Sequence, residues 1–233
     1  MVQENRAIAL VNPASPYVEA YKKLQLNIQL SSVDKKMQVI QITSSQASEG
    51  KTLTAVNLSA VYAMKNKKVL VVDLDFRKPK VHQVFKLHNE KGIVDVLGDE
   101  VSLDDAIIHH ESNVDVLLRG NKSPNIELTL ESEKLATIFE ELRNRYDVII
   151  LDCPPTMVVT DASLITKLSD GLVFVVAYNQ TKKDAVKDSV KRLKNAGANV
   201  LGVVMTQMNK KMGKSYYANG YDYYNAYHEG GKD

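Results

Sequence analysis

The clearest pattern in the chain is a set of short apolar runs without polar alternation. They occupy residues 69–72, 148–151 and 172–177. Such runs are typical of strands covered on both faces, as in a parallel sheet. Segments with apolar residues at helical spacing lie between or after them, at residues 53–64, 131–146 and 182–195. This alternation predicts an α/β fold, doubly wound around a mostly parallel sheet.

Weaker patterns extend the prediction toward both ends of the domain. A Ser-Pro pair opens a predicted helix, whose apolar stripe comprises Tyr17, Tyr21, Leu24 and Ile28. Two further strands are predicted at residues 114–118 and 200–205, and short helices at residues 92–97 and 103–109. The predicted organisation is an irregular arm (1–14), one domain (15–208) and a tail (209–233).

Composition narrows the class of protein. A chain of 233 residues fits one large domain with a continuous core. Its net charge of +2 gives no general attraction to nucleic acid. The single cysteine, Cys153, excludes an intramolecular disulfide and agrees with a reducing compartment. No apolar run approaches the roughly 18 residues of a spanning helix, so we expect a cytoplasmic protein that reaches a membrane only through a partner.

The candidate chemistry begins in residues 38–52, where an apolar run leads into small residues and ends in Gly50-Lys51-Thr52. This is the ending of a P-loop, in which backbone amides cradle phosphates, the lysine reaches the β and γ oxygens and the hydroxyl holds Mg²⁺. Ser45 replaces the first glycine of the pattern. The alternative is an ordinary turn between strand and helix, but the flanking strand and helix favour the P-loop.

Carboxylates follow two of the apolar runs. Asp73 and Asp75 come at the end of the run at 69–72, and Asp152 ends the run at 148–151. Because ligands of open α/β sheets bind at the carboxyl ends of strands, these residues predict a site for Mg²⁺ and a phosphate chain. Asp152 has the position of a Walker B aspartate, which holds the water shell of the metal.

The final segment differs from the rest, because it contains six of the chain's 11 tyrosines. They are Tyr216, Tyr217, Tyr221, Tyr223, Tyr224 and Tyr227. No periodic apolar pattern accompanies them, so a disordered tail that presents phenolic hydroxyls is favoured. A final strand at the edge of the sheet is the alternative.

These motifs together resemble the bacterial tyrosine kinases (BY-kinases) of capsular and exopolysaccharide operons, which share the P-loop superfamily of MinD and ParA. The resemblance runs from about residue 16 to the C-terminus. It rests on Glu49-Gly-Lys-Thr52, on Val71-Val-Asp-Leu-Asp-Phe-Arg-Lys-Pro79, on Ser123-Pro-Asn125, on Ile149-Ile-Leu-Asp-Cys-Pro-Pro155, on Val159-Thr-Asp-Ala162 and on the tyrosine cluster.

The resemblance implies an autokinase that uses ATP and Mg²⁺ to phosphorylate the tail tyrosines of neighbouring subunits and so regulates polysaccharide synthesis and export. Its implied partners are a membrane-embedded adaptor, a cognate tyrosine phosphatase and further copies of the chain. The implied catalytic residues are Lys51, Asp73 and Asp75, with Asp73 orienting or deprotonating the tyrosine. The implied metal ligands are Thr52, Asp75 and Asp152. The implied nucleotide contacts are Ser48, Glu49, Gly50, Lys51, Thr52, Leu53, Arg77, Thr206 and Asn209.

The chain departs from the family in two features, the docking motif and the adenine-reading residue. Its subunit-docking motif Glu-x-x-Arg-x-x-Arg reads Glu19, Lys22 and Gln25 here, and neither replacement keeps a guanidinium fork. We therefore expect a weaker ring, or none. The asparagine that reads adenine in the family corresponds to Thr206, with Asn209 as a possible substitute.

Two other functions compete with the kinase. A ParA/MinD-type ATPase switch would hydrolyse ATP without a protein acceptor, but that group carries an extra lysine early in the P-loop, and Ser45, Gln46 and Ala47 supply none. A nucleotide-binding scaffold whose tyrosines are modified by another kinase is the second alternative.

Overall fold

The computed structural model describes residues 7–15, 17–31, 36–123 and 125–208. Its strands are β1 (Val39–Ser44), β2 (Val69–Asp73), β3 (Ile107–His109), β4 (Val114–Leu117), β5 (Val148–Asp152), β6 (Gly171–Ala177) and β7 (Val200–Thr206). They form one sheet in the order β3-β4-β2-β5-β1-β6-β7. Only the β3–β4 pair is antiparallel among these strands. The predicted mostly parallel α/β fold is confirmed.

Helices cover both faces of this sheet. They are α1 (Ile8–Val11), α2 (Val18–Leu30), α3 (Lys51–Ala63), α4 (Val81–Phe85), α5 (Ile93–Leu97), α6 (Leu103–Ala106), α7 (Ile126–Leu130), α8 (Glu133–Arg145), α9 (Asp161–Ile165) and α10 (Lys183–Asn195), with a 3₁₀ turn at Thr166–Leu168.

Alternate side chains of the central strands enter two different cores, because successive residues of a strand point to opposite faces. Leu70 and Val72 of β2 pack in the core that contains the apolar face of α8. Val69 and Val71 pack in the core that contains α3. Fully burying one such side chain contributes about 1.5–3 kcal/mol. A strand that slipped by one residue would exchange these two sets, so the two cores fix the register.

The register brings the candidate carboxylates together at the carboxyl ends of the central strands. Asp73 lies directly opposite Asp152 in the β2–β5 pair, and Ile42 of β1 lies opposite Asp152 on its other side. The loop that follows β1, residues 45–50, therefore starts next to Asp152 and one strand away from Asp73. The fold itself assembles the site that the three separate motifs predict.

The N-terminal arm, predicted as irregular, is partly helical. Residues 8–11 form one helical turn, and the backbone N–H of Ala9 donates to Oδ1 of Asn57 at 2.8 Å. Ala9 is buried against Val61 of α3. The prediction of an irregular arm is wrong for residues 8–11, because a single small residue can dock on the P-loop helix without a periodic pattern.

Two predicted helices also differ from the structure. Residues 107–109, assigned to a helix, form strand β3, because their backbone pairs with β4 at the edge of the sheet. In α2, Ile28 is buried as expected, but Tyr17 at the other end of the predicted stripe is 62% exposed. The tail from residue 209, with Asn209 and the six tyrosines, lies outside the described residues. None of the helices described here has the length and apolar character needed to cross a membrane.

Candidate active site

The loop between β1 and α3 has two left-handed backbone positions. Gly50 has a φ of 94° and Ser48 a φ of 65°. Ser45, which replaces the first glycine of the motif, is not among the residues with positive φ. Because glycine is required only where the backbone enters that region, serine is compatible with this path. Ser48 is the strained position, at a cost of about 1–2 kcal/mol, and contacts around it must hold it there.

Lys51 opens α3 and turns into the protein, where its side chain is buried. Its Nζ donates to Oδ2 of Asp75 at 2.8 Å and lies 3.6 Å from Oδ1 of Asp152. Burial alone would lower the pKa of Lys51, but the carboxylates of Asp152 and Asp75 outweigh it and raise that pKa. The lysine is therefore a fixed cation beside the free N–H groups of the first turn of α3, an arrangement suited to phosphate.

Asp152 is fully buried at the end of β5. Among the described residues, no donor meets either of its carboxylate oxygens at full hydrogen-bond geometry, although Nζ of Lys51 lies 3.6 Å from Oδ1. Burial raises the pKa of Asp152, and the nearby Lys51 and the Thr52 hydroxyl, which is close enough to lower that pKa, oppose the rise. A buried carboxylate without donors costs several kcal/mol unless a cation satisfies it.

The oxygen ligands present fit the predicted Mg²⁺. The Thr52 hydroxyl and the carboxylates of Asp75 and Asp152 are hard ligands of the kind that this ion prefers. The described part of the chain contains no group of three or more His, Cys, Asp or Glu arranged to hold a metal. Mg²⁺ usually binds through one or two carboxylates and keeps several waters, so it does not need such a cage.

Asp73 holds the following loop in place. Its Oδ2 accepts the backbone N–H groups of Lys80 at 3.1 Å and Val81 at 3.0 Å, and its Oδ1 accepts that of Asp75 at 3.2 Å. Burial raises the pKa of Asp73 to about 8, the Asp152 carboxylate adds to the rise, and the Val81 N–H opposes it. These contacts bend residues 74–80 over the end of β2. The role of Asp73 toward a tyrosine hydroxyl stays a prediction.

Arg77, predicted to contact the nucleotide, pairs with a buried carboxylate in the structure, and its contact with a nucleotide stays a prediction. Its Nε donates to Oδ2 of Asp161 at 2.8 Å and its Nη2 to Oδ1 at 3.1 Å. Asp161 is fully buried in the first turn of α9. The sequence analysis quoted Asp161 only as part of a motif. Its spacing from Arg77, 84 residues, contains no signal that the two pair.

Thr206, at the position that reads adenine in the family, makes a hydrogen bond to the P-loop. Its Oγ1 donates to the backbone oxygen of Glu49 at 2.6 Å, and its side chain packs 3.3 Å from where a Cβ of Gly50 would lie. The Thr206 hydroxyl therefore donates its hydrogen to the P-loop backbone in this structure. The next residue, Gln207, donates from Nε2 to the backbone oxygen of Ser48 at 2.6 Å. Sequence reasoning missed Gln207 because no spacing rule connects it with the P-loop.

The remaining predicted nucleotide residues lie at the P-loop itself. Glu49 is buried, with its carboxylate turned toward the loop between β6 and α10. Thr52 is buried and Leu53 is half-buried in the first turn of α3. The structure thus brings residues 48–53 together with Asp73, Asp75 and Asp152, whereas Asn209 is outside the described residues.

The two departures in the docking motif have different environments. Lys22 forms an exposed ion pair with Glu19 at 2.6 Å on the surface of α2. Gln25 is fully buried, and its Oε1 accepts a hydrogen bond from Nζ of Lys65 at 2.5 Å. Gln25 is therefore part of the contact between α2 and the end of α3, and the expectation of a weaker ring, or none, stays a prediction.

Comparison with known proteins agrees with this geometry. The family model described as "AAA domain" matches residues 37–209. The tyrosine-protein kinase YwqD of Bacillus subtilis is 35% identical over 91% of this chain and 89% of its own. The crystal structure of the chimerical protein CapA2B2 superposes with a TM-score of 0.85 at 36% identity, covering 88% of this chain and 90% of the other.

The same comparison separates the kinase from the ATPase switch. The kinase domain of the Escherichia coli tyrosine kinase ETK has a TM-score of 0.82 at 28% identity, with 90% of this chain and 85% of that chain covered. The cell division ATPase MinD of Pyrococcus furiosus has a TM-score of 0.61, with 72% and 71% covered. The likeness to MinD confirms the shared P-loop fold, and the greater likeness to kinase domains favours the kinase over the switch. The chain belongs to the AAA domain family and, within it, to the bacterial tyrosine-protein kinases.

Proposed function

We propose that the chain is a protein-tyrosine kinase that uses ATP and Mg²⁺ to phosphorylate the tail tyrosines of another copy of itself. The observation that supports this most directly is the buried charge cluster at the P-loop. There Lys51 contacts Asp75, and Asp152 keeps two oxygens free of hydrogen bonds within the described part of the chain. The relatives are tyrosine-protein kinases, which supports a protein tyrosine as the acceptor.

Each residue of the cluster has a role in this proposal. The backbone of residues 48–53 surrounds the phosphates, and Lys51 exchanges its contact with Asp75 for the β and γ oxygens. Thr52, Asp75 and Asp152 hold the metal. When bound, Mg²⁺ neutralises charge on the phosphate oxygens. Phosphoryl transfer has a loose transition state that requires mainly positioning and charge neutralisation, and a buried site strengthens both.

The transfer step requires a proton acceptor. The tyrosine oxygen forms a bond to the γ phosphorus, the bond from that phosphorus to the bridging oxygen breaks, and ADP leaves with the electron pair. Tyrosine has an ordinary pKa of about 10, so its proton must be taken during the reaction at neutral pH. Asp73 is the candidate acceptor. It would act by releasing one of its three backbone N–H contacts.

The setting of the reaction is part of the proposal. The kinase works on the inner face of the cell membrane, where a membrane-embedded adaptor of a polysaccharide operon recruits and activates it, and a cognate tyrosine phosphatase reverses the modification. Copies of the chain associate, and their phosphorylation regulates capsule or exopolysaccharide synthesis and export. The support is the family, together with the absence of a spanning helix among the described residues.

Mixing two variants, neither of which should form phosphotyrosine alone, tests the transfer between copies. Lys51→Met removes the lysine but keeps the acceptor tail, and a variant with all six tail tyrosines changed to Phe keeps the site but lacks acceptors. Neither alone should give phosphotyrosine with Mg·ATP. The mixture should phosphorylate the Lys51→Met chain. ATP hydrolysis without phosphotyrosine in the wild-type protein, with or without adaptor, would contradict the kinase and favour the ATPase switch.

A further inference from the structure

The P-loop contains a buried acidic side chain that the transfer mechanism does not use. Glu49 is 3% exposed although it belongs to a loop that would bind a polyanion. Its Oε2 accepts the backbone N–H of Gln46 at 2.8 Å, and its Oε1 accepts the hydroxyl of Thr181. A buried carboxylate needs such donors to offset the loss of water. Both of its oxygens are satisfied, so it is not available as a metal ligand.

Thr181 connects Glu49 to the sheet. It lies in the loop between β6 and α10, and its Oγ1 accepts the backbone N–H of Ala177, the last residue of β6, at 3.0 Å. The hydroxyl therefore accepts from the strand and donates to the carboxylate. The end of β7 adds two contacts to the same stretch, from Thr206 to the oxygen of Glu49 and from Gln207 to the oxygen of Ser48.

We propose that Glu49 is a positioning residue for nucleotide binding, whose carboxylate ties the P-loop to the β6–α10 loop through Thr181 and thereby holds the loop ready for phosphate. The tie spans the strained position, because Ser48 lies between Gln46 and Glu49 and has a positive φ. Strained backbone persists only where its surroundings determine it. The proposal rests on the proposed function only in taking ATP as the ligand.

The tie acts through hydrogen-bond geometry and not through charge. A negative charge beside the triphosphate is itself unfavourable, so a neutral side chain that still accepts from the Thr181 hydroxyl should retain part of the binding. Glu49→Gln keeps an acceptor for the Thr181 hydroxyl or the Gln46 N–H, whereas Glu49→Ala removes both. At the partner, Thr181→Ser keeps the hydroxyl and Thr181→Val removes it at nearly the same size.

Equilibrium binding of Mg·ATP to the full chain, measured by calorimetry, tests the proposal without relying on catalysis. Losing a net hydrogen bond of about 1–1.5 kcal/mol weakens binding about tenfold. We expect that loss for Thr181→Val and at least that loss for Glu49→Ala, a loss for Glu49→Gln no greater than that for Thr181→Val, and binding within about threefold of wild type for Thr181→Ser. In steady-state assays the KM for ATP should rise more than kcat falls. The exposed Glu140→Ala is the control.

A second readout uses the protein without nucleotide. Amide hydrogen exchange over residues 45–50 should be faster in Glu49→Ala and Thr181→Val than in wild type, unchanged in Thr181→Ser, and no faster in Glu49→Gln than in Glu49→Ala. The double variant Glu49→Ala/Thr181→Val should bind no more weakly than Glu49→Ala, because one tie is lost in each.

If Glu49→Gln abolishes binding, Glu49 acts through its charge, and if Glu49→Ala binds as wild type, the tie has no effect on the ligand. Either result overturns the proposal, while wild-type protein that fails to bind Mg·ATP would contradict the proposed function itself.

Discussion

Arg77 and Asp161 connect the loop after β2 with the first turn of α9 by a two-point contact at 2.8 and 3.1 Å. Asp161 is fully buried, whereas the Arg77 side chain is 41% exposed. Hydrogen bonding to Asp161 raises the pKa of Arg77 and keeps it charged. The contact holds the loop after β2 against α9, and it uses only part of the five N–H donors of the guanidinium group.

Arg77→Ala should lower the free energy of unfolding by about 2 kcal/mol, since it leaves a buried carboxylate without its cation. The loss should stay below that of a fully buried pair, because water reaches the exposed guanidinium position. Urea unfolding measures the change. The double variant Arg77→Ala/Asp161→Asn should regain part of the loss, and the exposed neighbour Lys78→Ala should have little effect. Additive losses in the double variant would show that the two side chains are not coupled.

Lys51→Met should abolish phosphotyrosine and should also destabilise the protein. From sequence alone, little loss of fold is expected, because the lysine would point into an open ligand cavity. In the structure it is buried between Asp75 and Asp152, so its removal leaves carboxylates without a cation, at a cost of about 3–5 kcal/mol. Urea unfolding at neutral pH without nucleotide measures this.

The matched control for that loss is Lys51→Met/Asp75→Asn, which removes one of the two carboxylates together with the lysine. It should be more stable than Lys51→Met and equally inactive. A Lys51→Met variant as stable as wild type would mean that the charge cluster contributes nothing to folding.

The parts of the site that follow from strand order could be predicted from sequence. Asp73 and Asp152 each follow a buried apolar run, and parallel pairing then places them opposite each other. The contacts made by loops could not be predicted from sequence. Asp73 meets the N–H of Val81 only because residues 74–80 turn back. Residue type also fails to indicate burial where helices cross, as at Gln25, whose polar side chain is fully covered.

Gln25→Arg, which restores the family residue, should therefore destabilise the protein instead of creating a subunit contact. The new cation would be buried beside Lys65, whose Nζ already contacts Gln25, and an unpaired buried charge costs several kcal/mol. We expect a loss of about 2–4 kcal/mol in urea unfolding. The matched variant is Lys22→Arg, which restores the other arginine at a position with an exposed ion pair and should change stability by less than about 0.5 kcal/mol. Light scattering that found a larger assembly for Gln25→Arg, with unchanged stability, would show that the side chain reaches the surface.

Phosphorylation of the tail should loosen any assembly of the chain. Each phosphate adds about −1.5 to −2 charges at pH 7, so six would add roughly −9 to −12 to a segment that is now close to neutral. Like-charged tails repel, most strongly at low salt, where screening is weakest. Light scattering before and after phosphorylation measures the change in mass, beside the variant with six Phe. If the phosphorylated protein and the six-Phe variant have the same mass at every salt concentration, phosphorylation of the tail does not control assembly by charge repulsion.

Asp170 joins three elements at the end of the strands opposite the candidate site. Its Oδ2 accepts the backbone N–H groups of Gln38 at 3.0 Å and Val39 at 2.8 Å, and Arg143 donates to both of its oxygens. Burial alone would raise the pKa of Asp170, but Arg143 and the N–H of Val39 outweigh it and hold that pKa below its ordinary value. The folded state therefore binds a proton less readily than the unfolded state.

A depressed pKa contributes stability that is fully present above the unfolded value, about 3.9 for aspartate, and that is lost as the pH falls through the folded value. Asp170→Asn should therefore lower the free energy of unfolding by about 1–3 kcal/mol at pH 7, and the difference from wild type should shrink once the pH falls below about 4. Urea unfolding of both proteins at pH 7 and at a pH below about 4 measures the loss at neutral pH and its decrease in acid. The control is Asp99→Asn, because Asp99 is 89% exposed and pairs with Lys134 on the surface, where such a pair contributes about 0–1 kcal/mol. A loss for Asp170→Asn that is the same at both pH values would mean that the carboxylate charge is not what holds the start of β1, since only an ionised group loses its contribution on protonation.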